Sequence, residues 1–314
     1  MKKKITKLAL LVSGSALFLN AIRYSLNFLA TFRHKLSQPN GRTYHWKFGD
    51  VYYTKKGKGS PILLLHDLSP ASSSYEWQLI EDSLAMNHTV YTLDFPGCGR
   101  SEKLKISYTN YLYIQLLSDF SKEIIRQKTN VVAFGSSAST VLMLCKMDQR
   151  LFHNIGLVSP ENLEKHYQPI SFWSKLFRQV INLPLLGTLI YQCAYRKSSL
   201  KKYFYQNSTS ETQSIDDYLI PYYREASHLG KSMGKYLYSS KACGYLNVNI
   251  IDALRTVNNN IYILYGEKDE EMKENAKQYA FHNPSIEIAS IPNSRRYPQF
   301  DNPDAFLDTL RIYQ

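Results

Sequence analysis

Apolar positions along this chain follow two periods. Short continuous apolar runs occupy residues 61–66, 89–94, 131–134, 155–158 and 261–265. They are too short for helices and do not alternate with polar residues, so they read as strands covered on both faces of a parallel sheet. Between them lie helical patterns. Residues 108–127 carry Leu112, Leu116, Phe120 and Ile124 at four-residue spacing, and residues 73–87 place Trp77, Ile80 and Leu84 on one face. Strand and helix in alternation predict an α/β fold with a mostly parallel sheet flanked by helices. Upstream, residues 44–48 and 51–54 flank a Gly49-Asp50 turn and predict a β-hairpin.

The rhythm stops at Ser159-Pro160. From there to about Asn249 no clean buried strand is present, and aromatic pieces such as Phe172-Trp173, Tyr203-Phe204-Tyr205 and Tyr222-Tyr223 mix with basic residues. This stretch predicts a helical cap inserted into the sheet. Strand, helix (271–281), strand (286–291) and a last helix after Pro303 follow. The expected organisation is a core of 44–160 and 250–314, a helical cap of 161–249, and an N-terminal hydrophobic segment of 1–35.

That N-terminal segment has Lys2, Lys3, Lys4 and Lys7 ahead of an apolar run from Leu8 to Ile22, broken at Arg23 and resumed from Tyr24 to Phe32. A cationic start before an apolar run is the shape of an uncleaved membrane anchor or interfacial helix, of a signal peptide whose cleavage would give a secreted protein, or of a packed helix. Cations flank it on both sides, so charge does not say which side of a membrane the body faces. The rest of the composition changes little. The chain has 314 residues, 44% hydrophobic and 20% charged, which suits a globular protein with a sizeable core. Its net charge of +12 comes from 38 Lys+Arg against 26 Asp+Glu, scattered in short groups without a zinc-finger or RNA-recognition signature. Solvated surface accounts for that charge better than nucleic acid does. Cys98, Cys145, Cys193 and Cys243 are far apart, which argues against a disulfide framework or a metal site, and no cofactor is expected.

Chemistry points to residues 129–145. A short strand leads into Gly135-Ser136-Ser137-Ala138-Ser139 and then an apolar helix start. A serine between small residues at a strand-to-helix turn is the layout of a nucleophile elbow, where bulky neighbours would keep strand and helix apart. Three further segments stand in order with it: Leu63-Leu64-Leu65-His66-Asp67, Asp94-Phe95-Pro96-Gly97-Cys98-Gly99-Arg100-Ser101, and Tyr265-Gly266-Glu267-Lys268-Asp269. Together they resemble the α/β-hydrolase superfamily, of the capped serine-nucleophile type, over roughly residues 44–314. The resemblance implies Ser137 as nucleophile, Asp269 as the acid that orients the base, and an oxyanion hole from the N–H groups of Ala138 and Leu68. Asp67 stands where relatives usually carry glycine, and an inward carboxylate there would oppose an oxyanion. His66 in this position is usually structural.

The base departs from the pattern. Pro298, Asp301, Pro303 and Phe306 match the residues that follow the family's catalytic histidine, and they put Arg296 in the histidine's place. Arginine stays protonated and cannot take a serine proton. His228, in the inserted segment, is the candidate for a rescuing base. Two functions follow as expectations. One is a serine hydrolase, or acyl-transfer enzyme, for a small or lipid-like ester. The other is an inactive relative whose pocket binds a ligand or partner at a membrane.

Overall fold

The computed structural model describes residues 21, 24–38, 40–209 and 214–313. Most of the N-terminal apolar run therefore lies outside the described residues, and only its end is seen, as a helix over residues 24–31, here α1. Eight strands form one sheet: β1 (Arg42–Trp46), β2 (Gly49–Lys56), β3 (Ser60–Leu65), β4 (His88–Leu93), β5 (Thr129–Phe134), β6 (Phe152–Val158), β7 (Asn260–Gly266) and β8 (Glu287–Ile291). Their spatial order is β1-β2-β4-β3-β5-β6-β7-β8. β1–β2 and β2–β4 pair antiparallel, and every later pairing is parallel. The mostly parallel α/β sheet expected from the sequence is thus present, with the hairpin as its antiparallel edge.

Both faces are apolar because the strand period of two sends successive side chains to opposite sides. Leu63, Leu65, Val131, Ala133, Ile155 and Leu157 join one core cluster. Their neighbours Ile62, Leu64, Val132, Phe134 and Val158 join the other. The first face is covered by α3 (Asn110–Phe120), α4 (Ser137–Met147) and, further along the chain, α11 (Ile251–Thr256) and α12 (Glu270–His282). The second is covered by α2 (Gln78–Ala85), the short α13 (Pro298–Asp301) and α14 (Pro303–Ile312). Thr109 starts α3 by accepting the Leu112 N–H, and Asn302 starts α14 by accepting the Ala305 N–H at 3.3 Å, with Pro303 in the first turn.

Two helices differ from expectation in their ends. The helix foreseen from residue 73 begins as a tight 3-10 turn, Ser74–Trp77, because the Ser74 N–H donates to Asp94 at 2.7 Å and the Ser74 hydroxyl accepts from Arg100. The helix foreseen to residue 127 widens into a π-type turn over Ser121–Ile125, then stops at Arg126 in a left-handed conformation (φ 60).

Between β6 and β7 the chain is helical, as expected: α5 (Leu163–His166), α6 (Phe172–Asn182), α7 (Leu186–Ala194), α8 (Lys197–Asn207), α9 (Ile220–His228) and α10 (Lys235–Ala242) precede α11. One feature beside β4 holds the loops in place. Asp94, with no solvent exposure, accepts from Arg100 N (2.8 Å), Nε (2.7 Å) and Nη2 (3.0 Å). The same guanidinium lies 3.9 Å over the Tyr52 ring and donates to the Leu36 carbonyl at 2.9 Å. It thereby ties the segment after α1 to the sheet.

Candidate functional site

The parallel strands β3 and β5 end side by side, with Leu65 level with Ala133. The carboxyl ends of such strands are where ligands gather in α/β folds. Beyond β5, Gly135 takes φ +62 and the helix begins at Ser137. The left-handed apex of the turn is therefore Gly135, two residues before the serine picked out from the sequence. A Cβ built on Gly135 would lie 2.7 Å from Asp67 Oδ1, so the space a nucleophile's side chain would use at the apex is filled by the Asp67 carboxylate.

Ser137 goes elsewhere. It has no solvent exposure, and its hydroxyl donates to the Phe134 carbonyl at 2.8 Å, back across the turn to the end of β5. The N–H of Ala138 is likewise engaged, donating to the Gly135 carbonyl at 3.3 Å. The elbow geometry expected around Ser137 is thus found two residues earlier. Ser136 is the side chain that reaches the polar cluster. Its N–H donates to Asp67 Oδ1 at 2.9 Å and its hydroxyl to the same oxygen at 2.5 Å. The Leu68 N–H points at the Ser136 hydroxyl at 3.3 Å. The N–H groups of Ser136 and Leu68 are thus both engaged, one by a carboxylate and one by a hydroxyl.

Lys241, from α10, closes the cluster. Its ammonium lies 3.1 Å and 3.2 Å from the two Asp67 oxygens, 3.0 Å from the Ser136 hydroxyl and 3.7 Å from Glu161 Oε1. Burial alone would raise the Asp67 pKa, yet Lys241, Arg296 and the two Ser136 hydrogen bonds outweigh it and hold the carboxyl well below the usual range. For Lys241, burial works against the charge, and Asp67 and Glu161 reverse that and raise its pKa. Glu76 sits behind. It accepts from the Asp67 N–H at 3.0 Å and from the Tyr223 hydroxyl at 2.9 Å, and burial with the nearby Asp67 charge pushes it up to about 8.

Arg296 does line this space. Its backbone N–H donates to the Asn207 carbonyl at 3.2 Å, and Nη1 approaches the Met272 sulfur at 3.8 Å. Among the described residues no carboxylate lies within 4.0 Å of its guanidinium. Asp269 is not its partner. That carboxylate accepts the Met272 N–H at 3.1 Å as the N-cap of α12. His228 is also apart. Its ring is buried against the Arg224 carbonyl (2.8 Å) and the Ser227 hydroxyl (3.0 Å), and burial lowers its pKa. His66 bridges strand ends: Nε2 accepts the Phe95 N–H at 3.0 Å, so Nδ1 donates to the Asp67 carbonyl at 2.7 Å. Of the residues named from sequence, Leu68 and Arg296 are brought to the cluster, while Ser137, Ala138, Asp269 and His228 are not.

A cavity of about 470 Å³ opens above the cluster. Asp67, Glu161, Lys241 and Arg296 form its polar end, and Tyr195, Tyr203, Phe204, Tyr223, Tyr238 and Tyr297 give it an aromatic wall. Glu161 follows a strand end and could have been suspected on position alone. Lys241 carries no sequence signal, since it arrives from an inserted helix 174 positions away from Asp67. Among the described residues no group of His, Cys, Asp or Glu is arranged to hold a metal ion.

A family model described as the alpha/beta hydrolase family matches residues 62–309. The chain belongs to that family. Within it, a curated relative from Metapseudomonas resinovorans, 2-hydroxy-6-oxo-6-(2'-aminophenyl)hexa-2,4-dienoic acid hydrolase, is 28% identical over 116 residues. That match spans 36% of this chain and 40% of the relative, so the chain covers about two-fifths of the length of the curated protein it resembles. Solved structures share the fold at lower identity. Cfl2 from Burkholderia cenocepacia superposes with a TM-score of 0.71 at 14% identity, over 87% of this chain and 95% of Cfl2. A serine hydrolase involved in carbazole degradation gives 0.70 at 16%, over 87% and 97%. A membrane phospholipase A, described as a bacterial virulence factor, gives 0.68 at 14% and aligns over 100% of this chain and 98% of its own.

Proposed function

We propose that this alpha/beta-hydrolase-family protein uses the cavity under its helical cap to bind a small amphiphilic ligand with an acidic group, and does not hydrolyse esters there. The observation that carries this reading is the hydrogen bond from the Ser136 N–H to the Asp67 carboxylate, beside a glycine at the apex of the elbow. Ester hydrolysis needs a nucleophile at that apex and a donor free for the developing oxyanion. Here the apex has no side chain, and the donor is already paired with a negative charge that would repel an oxyanion. Arg296 supports the acidic group on the ligand, since it faces the cavity without a carboxylate in contact. The aromatic wall supports an apolar body, and the cavity is of the size that small ligands fill.

One observation favours turnover. The Ser136 hydroxyl lies 3.0 Å from the Lys241 ammonium, a serine–lysine arrangement. A lysine base must be neutral, however, and Asp67 and Glu161 hold Lys241 protonated. Asp67 is too acidic to take the proton in its place.

The test combines a fluorophosphonate probe with a thermal-shift comparison of dodecanoate and dodecanol. No covalent labelling, together with stabilisation by the carboxylate over the alcohol, is the expected result. A ligand at ~100 times its Kd raises stability by about 2.7 kcal/mol. Labelling that disappears in Ser136→Ala or Ser137→Ala would overturn the reading in favour of a serine hydrolase.

A further inference from the structure

A second cavity, of about 440 Å³, lies away from the first, between α1 and α9. Four cationic side chains line it, Arg33, Lys35, Lys197 and Arg224, against a single carboxylate, Glu225. That carboxylate is engaged already, accepting the backbone N–H of Lys35 at 2.8 Å and of Leu36 at 3.3 Å. Asp216, the next acid toward Lys197, is paired with Lys201. Among the described residues none of the four cations lies within 4.0 Å of a carboxylate. Lys35 instead sits 5.3 Å over the Tyr222 ring and Arg33 5.4 Å over the Phe32 ring.

The rim of this cavity is apolar and bare. Phe28, Leu29 and Phe32 are 66%, 53% and 46% exposed, while Asn27 and Ala30 turn inward. The Phe28 and Phe32 rings stack at 5.9 Å, one helical turn apart. Ser232 donates to Asn27 at 3.4 Å, and three positions later Lys235 donates to the Leu183 carbonyl at 2.8 Å, so one short segment carries both α1 and the turn that exposes Leu183, Leu185 and Leu186. The chain leading into α1 is the apolar run that follows Lys2, Lys3, Lys4 and Lys7. An apolar strip beside a cationic hollow, reached by an apolar leader, has the chemistry of a helix lying in a membrane surface, with cations at headgroup depth.

We propose that this hollow seats the phosphate of an anionic phospholipid, with Phe28, Leu29 and Phe32 among the acyl chains. Arg33 and Arg224 provide planar donors suited to a phosphate, and Lys35 and Lys197 add charge. This inference is independent of what the first cavity binds.

Co-sedimentation of the full-length protein with phosphatidylcholine vesicles, with and without phosphatidylglycerol, reads it out. The wild type is expected to bind the anionic vesicles at least ~10-fold more tightly, with the preference shrinking as salt rises. Arg33→Gln/Arg224→Gln should lose most of that preference, the remainder coming from the lysines, and keep its binding to neutral vesicles, which the apolar leader supports by itself. Phe28→Ser/Phe32→Ser should weaken binding to both. An unchanged preference in the double-glutamine variant, with its thermal midpoint intact, overturns the assignment. So does a dimer by light scattering that ignores vesicles. Stabilisation by inorganic phosphate without any preference between the vesicles would mean a free anion is the occupant, and would overturn the lipid.

Discussion

Two buried charge clusters stand at the ends of neighbouring strands, and they are built differently. After β4, Asp94 and Arg100 meet in a closed setting: their side chains are 0% and 11% exposed, and the carboxylate collects a serine N–H, an arginine N–H and two guanidinium contacts. After β3, Asp67 and Lys241 are 14% and 28% exposed and face a cavity that also contains Arg296, which has no carboxylate in contact. The first cluster satisfies its charges internally and so serves the fold. The second leaves the Arg296 guanidinium without a carboxylate in direct contact and open to the cavity, which is what a ligand-facing cluster needs. The difference is one of direct pairing rather than burial: a buried charge is tolerated when its partners are supplied, and Arg100 has its carboxylate in contact where Arg296 has none.

Breaking the closed pair should have the largest effect. Asp94→Ala leaves the Arg100 guanidinium without its carboxylate and the Ser74 N–H without an acceptor, and removing one partner of a buried pair costs about 3–5 kcal/mol. Urea unfolding should show a loss of that size. A loss under about 1 kcal/mol would erase the distinction between the clusters.

The next effect is a pH dependence carried by Glu76. Its pKa rises from 4.5 to about 8 on folding. Between those values the unfolded chain has released a proton that the native state retains, so stability is full below about pH 4.5 and declines as pH rises toward 8. The decline should be on the order of a few kcal/mol. Glu76→Gln should flatten it in a series of thermal melts from pH 5 to 8. Parallel curves for the two proteins would show that Glu76 titrates normally.

Asp67→Asn comes third. The amide still accepts the Ser136 N–H, and water in the cavity can solvate Lys241, so the loss should be about 1–2 kcal/mol, well short of that for Asp94→Ala. A loss equal to that of Asp94→Ala would mean that this cluster too is structural.

The scaffold was readable from sequence because each of its elements depends on local pattern. Continuous apolar runs gave the parallel strands, and Pro298, Asp301, Pro303 and Phe306 fixed the loop that carries Arg296. The register of the elbow was not readable, for a specific reason. The run Ala133-Phe134-Gly135-Ser136-Ser137-Ala138-Ser139 has small residues at 133, 135, 137 and 139, so the small-x-any-x-small rule fits an apex at 135 as well as one at 137. Only backbone conformation separates the two, and the left-handed φ falls on the glycine, the residue that adopts it without strain. Asp269 also fitted two roles on sequence, an acid at a strand end and an N-cap, and the structure uses its carboxylate as the cap. Lys241 was beyond reach because an ion pair spanning an inserted helix leaves no periodic trace.

The smallest expected change in stability is also the sharpest test of the cavity. Arg296 makes no direct carboxylate pair: its hydrogen bonds are a backbone one that any residue keeps and a 3.8 Å approach to the Met272 sulfur, and its charge reaches Asp67 and Glu161 only across the water-accessible cavity. Arg296→Met preserves most of the volume, so stability should stay within about 1 kcal/mol of wild type, a shift of ~2–4 °C at most. Binding should respond in the opposite proportion. A charge-assisted contact to an acidic ligand is worth about 1.5–3 kcal/mol, so dodecanoate affinity should fall ~10- to 100-fold. Dodecanol, which lacks the charge, should bind the two proteins alike. If instead Arg296→Met lowers stability by about 3–5 kcal/mol while the variant that remains folded keeps the affinity ratio of the two ligands, the cation belongs to the fold, as Arg100 does, and the contrast between the clusters collapses.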